Sequence, residues 1–122
     1  MTQNDWIKNV VELFYEKARE DILIGYHFRH IKNFDEHIPR IVSFWEIQLL
    51  GKSQKPLENN FDILNVHVPL GIKRGELGRW LVLLKKTIHE ELANSPEMLG
   101  LSQLWKDKLD LFEKKFSGFF GF

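Results

Sequence analysis

The chain has 122 residues, with seventeen Lys and Arg balanced by seventeen Asp and Glu, so its formal net charge at pH 7 is zero. That length suffices for one domain spanning residues 1–122 with a real core. The balance removes the electrostatic case for nucleic acid or an anionic membrane surface as a partner. The absence of cysteine excludes a disulfide framework, a thiolate metal site and a cysteine nucleophile, and fits the reducing cytoplasm that is the expected compartment.

The first residues are polar and Asp5 precedes the first apolar run, so no signal peptide is expected. No uninterrupted apolar run is long enough to span a bilayer. Ten Phe, four Trp and two Tyr are many for so small a chain. Such rings either thicken a core or line a cavity for a flat apolar ligand.

In chain order the apolar period is helical nearly throughout. Ile7, Val11, Phe14, Tyr15 and Ala18 recur at three-four spacing, which predicts a first helix from about Asn4 to Glu20, with Thr2 and Asp5 as its start signal. Ile22, Ile24, Tyr26 and Phe28 around Gly25 predict a short irregular helical segment. A second long helix runs from Phe34 to Leu50. His37, Ile41, Phe44 and Gln48 share one face of it, Trp45 stands beside them, and Gly51 closes it. Pro39, two residues after His37, delays or kinks its start.

From Lys52 to Asn65 the period weakens. Pro56 and Asn59-Asn60 mark a loop, and residues 61–64 form at most a turn or two of helix. Pro69 and Gly71 stop regular structure after His67. Leu77, Trp80, Leu81, Leu84 and Ile88 then mark a third long helix. Ser95 as N-cap and Pro96 at the first helical position open the last one. It extends to about Phe116 and buries Leu101, Leu104, Trp105, Leu109, Phe112 and Phe116, before Gly118 and Gly121 loosen a Phe-rich tail. The fold class is all-α. A plain up-and-down bundle fits poorly, because the stretch from Gly51 to Arg74 is too long and broken for a tight connector.

That broken stretch ends near His67, which Val66 and Val68 flank and Pro69 stiffens. A neutral imidazole on a short, fixed, apolar segment meets the requirements of an axial haem ligand. Tyr15, His37 and Trp80 each place a hydrogen-bond donor on a predicted apolar helix face. Taken alone these residues also read as ordinary packing: a structural histidine in a loop, a tyrosine at the core rim, a core tryptophan and a surface histidine beside Asp35 and Glu36.

Phe14-Tyr15, His37, Phe44-Trp45, His67 and Trp80-Leu81 occur in that order, with His67 thirteen residues before Trp80. In this order and spacing, across most of its length, the chain resembles a truncated haemoglobin of group III (P-type), a 2-on-2 globin. The resemblance implies a 2-over-2 helical sandwich around haem b (iron protoporphyrin IX), with His67 as the proximal iron ligand. It implies Tyr15, His37 and Trp80 as the distal polar set, and Phe14, Phe28, Ile41, Phe44 and Trp45 against the haem. Arg79, Arg74 and Lys73 are cations for haem propionates, or else solvated surface. The glycine pairs typical of other truncated globins are absent, as this group allows. The stretch between Gly51 and His67 departs from the family pattern, and His27, His30 and His89 match nothing in it.

The resemblance implies binding of dioxygen, nitric oxide or carbon monoxide, for oxygen transport, nitric oxide and oxygen handling, or peroxide chemistry. No flavin or nicotinamide motif is present, so turnover as a nitric oxide dioxygenase or peroxidase requires an external reductase. A monomer is expected. The alternative is a haem-free helical interaction module whose aromatic faces are core or partner groove. A non-haem metal site on His37 and His67 ranks last, since no carboxylate completes a ligand pattern around them.

Overall fold

A computed structural model describes residues 1–29, 31, 33–53 and 71–122. Four long helices and two short helical pieces make up the described chain: α1 (Gln3–Glu20), α2 (Gly25–Phe28), α3 (Phe34–Leu50), α4 (Arg74–Asn94), a 3-10 turn (Pro96–Met98) and α5 (Leu99–Phe120). No strand occurs among the described residues. None of the helices there is long and apolar enough to cross a membrane. The expected turn at 61–64 and the loop signals at Pro56 and Asn59-Asn60 lie outside the described residues.

Local chemistry explains the helix boundaries. Thr2 Oγ1 accepts the Asp5 amide at 3.1 Å, satisfying a donor the helix cannot. Asn33 does the same for Glu36, at 3.3 Å. The acidic side chains of Asp35 and Glu36 then sit in the first turn of α3, at the positive end of its dipole. Gly51 ends α3 in the left-handed conformation, φ 81°, which costs glycine nothing.

Pro39 does not delay α3. The His37 amide already bonds to the Asn33 carbonyl at 3.1 Å, and the helix continues through the proline. The cap and the buried face beyond it outweigh the one backbone bond that proline removes. Ser95 stands at the expected boundary but caps with its backbone: the Met98 amide reaches its carbonyl at 2.9 Å, and its side chain makes no capping bond.

The last helix is longer than its sequence period suggests. It passes Gly118 and ends at Gly121, φ 74°. Phe116, Phe120 and Phe122 stack in succession at 5.9 and 5.7 Å between ring centroids, which offsets the glycine. Leu104 is 39% exposed, contrary to the expectation that it is core. The buried stripe of α5 instead runs Leu101, Trp105, Leu109, Phe112 and Phe116.

Helix α1 packs against both α3 and α4, and α5 packs against α4 and α3. Their shared core centres on three tryptophans. Trp105 meets Trp6 at 6.0 Å and Trp45 at 5.4 Å, and Trp6 donates to the Glu91 carbonyl at 3.3 Å.

Candidate functional site

The four long helices do not fill the space among them. A cavity of about 310 Å³ remains, lined by residues of all five described α-helices. Val11, Phe14 and Tyr15 come from α1. His37, Arg40, Ile41, Phe44 and Trp45 come from α3, and Glu76, Leu77, Trp80 and Leu84 from α4. His27 and Phe28 of α2 close one side, and Phe116 of α5 another. Most of this wall is hydrocarbon, with polar groups at a few points, as small-molecule and cofactor sites are built.

The aromatic rings hold one another by edge-to-face contact. Tyr15 meets Phe14 at 5.5 Å, Phe28 at 5.4 Å and His37 at 5.4 Å. Phe14 meets Trp80 at 6.1 Å with the rings perpendicular. These contacts fix the ring planes as well as their positions. The Tyr15 hydroxyl lies 3.1 Å from His37 Nε2, a hydrogen bond joining the middle of α1 to the start of α3. Burial pushes the Tyr15 hydroxyl well above its ordinary titration range, so it stays protonated and can donate.

Of the residues that sequence reasoning assigned to the pocket, Phe14, Tyr15, Phe28, His37, Ile41, Phe44, Trp45 and Trp80 all line this one cavity. His67 lies outside the described residues. Arg79 is placed differently. Its Nε and Nη2 atoms grip Asp21 Oδ2 at 2.8 and 2.7 Å, and it is not among the residues lining the cavity. The other carboxylate oxygen of Asp21 accepts the amides of Leu23 and Ile24, at 2.9 and 3.2 Å. The Arg79 hydrogen bond, with these amides, holds the Asp21 carboxyl below its usual range. Arg79 therefore fastens the turn before α2 onto α4.

Three polar cavity residues escaped the sequence reading: Arg40, Glu76 and His27. Two carried a signal. Arg40 stands three residues after His37 and Glu76 four before Trp80, so each shares a helix face with a residue already singled out. His27 carried none, because α2 is a single turn with no period to read.

Glu76 is buried, and its carboxylate collects three donors. Oε1 accepts the Lys73 amide at 2.9 Å, closing the start of α4; Oε2 accepts the Tyr26 hydroxyl and His27 Nε2, the latter at 3.0 Å. Burial raises its pKa, but these bonds outweigh burial and hold the carboxyl ionised, below its usual range. No group of three or more His, Asp or Glu able to hold a bare metal ion occurs among the described residues.

No family model matches the sequence, and no curated protein matches it either. The structure is similar to the crystal structure of a group III truncated hemoglobin from Campylobacter jejuni. The TM-score is 0.74 at 21% sequence identity, covering 97% of this chain and 91% of that one. The chain therefore has the all-α fold of a group III truncated haemoglobin.

Proposed function

We propose that the cavity holds haem b and that the protein binds a diatomic ligand there. The observation that carries this reading is the gathering of Phe14, Tyr15, His37, Phe44, Trp45 and Trp80 around one apolar cavity. Haem is a flat, apolar ring with two carboxylates on one edge. Aromatic walls suit the ring, and Arg40 on the lining offers a cation for a carboxylate. His67 is the iron ligand in this proposal, on the sequence grounds given above.

Bound haem would supply an iron able to take dioxygen, nitric oxide or carbon monoxide. The chain's own residues decide how long such a ligand stays. The protonated Tyr15 hydroxyl is a donor, and its bond to His37 fixes where it points. The Trp80 indole N–H is a second donor on the cavity wall. Two donors favour slow release of a ligand that gains negative charge, which suits reaction or sensing better than bulk delivery. Redox turnover in nitric oxide or peroxide chemistry requires an external reductase, because the sequence carries no flavin or nicotinamide motif.

Hemin titration against tryptophan fluorescence tests the proposal. Trp45 and Trp80 line the cavity, so the account expects saturable quenching at one hemin per chain. Unsaturable or absent quenching contradicts it and favours the haem-free interaction module.

A further inference from the structure

Glu76, His27 and Tyr26 form a second polar cluster on the cavity, distinct from the Tyr15–His37 pair. It ties α2 to the first turn of α4 across about fifty residues of chain. Glu76 and His27 both border the cavity, while Tyr26 is partly exposed to solvent. The helix cap alone would need only one oxygen of this carboxylate, bonded to Lys73. The second oxygen is committed to the imidazole and the phenol.

The Glu76 carboxylate thereby sets the chemical state of His27. An ionised carboxylate only accepts, so the hydrogen between Glu76 and His27 sits on His27 Nε2 and the lone pair on Nδ1. His27 is thus held in the tautomer that leaves a ring nitrogen, Nδ1, able to accept a proton. His37 Nε2 instead meets the Tyr15 hydroxyl, at 3.1 Å.

We propose that His27, backed by Glu76, is the base that receives the proton of a weak-acid ligand entering the cavity. The ligand class is small acids that bind as anions, such as hydrogen cyanide, hydrogen sulfide or hydrogen peroxide. With hydrogen cyanide, the H–C bond breaks, its electron pair stays with the cyanide anion, and the proton goes to His27 Nδ1. The product is an imidazolium paired with the Glu76 carboxylate. Among the described residues, Arg40 and His37 of α3, Tyr15 of α1 and Glu76 of α4 are the other ionisable groups on the lining, and Tyr26 is the one beside His27 on α2. This inference rests on the reading of the cavity as a haem site.

The test compares association rates of cyanide with the ferric protein and of carbon monoxide, which carries no proton, with the ferrous protein at neutral pH. The readout is their ratio in wild type, His27→Gln, Glu76→Gln and His37→Gln. The proposal expects the cyanide-to-carbon monoxide ratio to fall on the order of a hundredfold in His27→Gln, within the range that a positioned base supplies. It expects a fall on the order of tenfold in Glu76→Gln, which keeps the shape but loses the charge. A ratio unchanged in His27→Gln overturns the proposal. So does a fall in His37→Gln alone, or a parallel slowing of both ligands, which marks an access role. The ¹⁵N shifts of the His27 ring give a readout independent of ligand kinetics: wild type should show the Nε2–H tautomer, and an Nδ1–H tautomer overturns the assignment. A protein that binds no hemin is the failure of the haem reading, and is visible before any ligand is added.

Discussion

Tyr15 and His37, twenty-two residues apart in sequence, lie 3.1 Å from each other on the cavity wall, hydroxyl oxygen to Nε2. The bond fixes two things: the orientation of the tyrosine hydroxyl and the inward position of a histidine near the start of α3. An inward His37 follows from the Asn33 cap, which starts α3 early enough that Pro39 cannot displace it.

Tyr15→Phe removes the hydroxyl from both the His37 bond and the cavity. The net value of such a bond predicts a loss of about 1 kcal/mol in unfolding free energy, measurable by urea denaturation. In the haem-loaded protein it predicts faster dioxygen release, about tenfold, the equivalent of about 1.4 kcal/mol. Stopped-flow displacement measures that rate. An unchanged rate in Tyr15→Phe and in Trp80→Phe would refute the retention argument.

Gly25→Ala tests how α2 is seated. A Cβ at Gly25 would stand 2.8 Å from the Arg19 carbonyl oxygen, too close for either backbone segment to remain in place. Crowding of this kind costs about 1–3 kcal/mol. Because α2 carries His27 and Phe28, the variant should also weaken hemin binding beyond its effect on stability. A fluorescence titration run beside thermal melts separates the two.

Asp21 and Glu76 both have folded-state pKa values below their ordinary ones, Asp21 chiefly through the Arg79 bond, Glu76 through bonds that overcome its burial. For a carboxyl with a depressed folded pKa, the stabilisation is present above the unfolded value and is lost as pH falls through the folded one. Unfolding free energy should therefore decline as pH drops below the ordinary carboxyl range of about 4. Asp21→Asn and Glu76→Gln should each flatten that decline in urea melts run from neutral to acid pH. Slopes equal to wild type would show that these bonds do not stabilise the fold.

The core offers a larger effect. Trp105 is fully buried against Trp6 and Trp45. Trp105→Ala leaves a cavity and should cost about 3–5 kcal/mol. Calorimetry would show it as a large drop in melting temperature.

Much of this arrangement was legible in the sequence because helices convert spacing into faces. His37, Ile41 and Phe44 could be placed together by spacing alone, as could Phe14 with Val11 and Trp80 with Leu84. The rule does not place Arg79: adjacent residues both line the cavity at Phe14–Tyr15 and Phe44–Trp45, but not at Arg79–Trp80, where the arginine is held away by an ion pair. Its partner, Asp21, is fifty-eight residues away and no local pattern announces it. The Glu76–His27 pair is tertiary in the same sense, joined across forty-nine residues by a one-turn helix that has no periodicity. The end of α5 was missed because glycine propensity is a local quantity, whereas the Phe116–Phe120–Phe122 stack depends on the helix already being formed.

The visible absorption spectrum of the hemin-reconstituted protein, reduced and then exposed to carbon monoxide, beside His67→Ala, tests the central claim most directly. The account predicts an intense Soret band that shifts with carbon monoxide in wild type, and a ferrous spectrum altered by loss of the imidazole in the variant. A chain that takes up no hemin, or a variant with the wild-type ferrous spectrum, would contradict a haem site hung on His67.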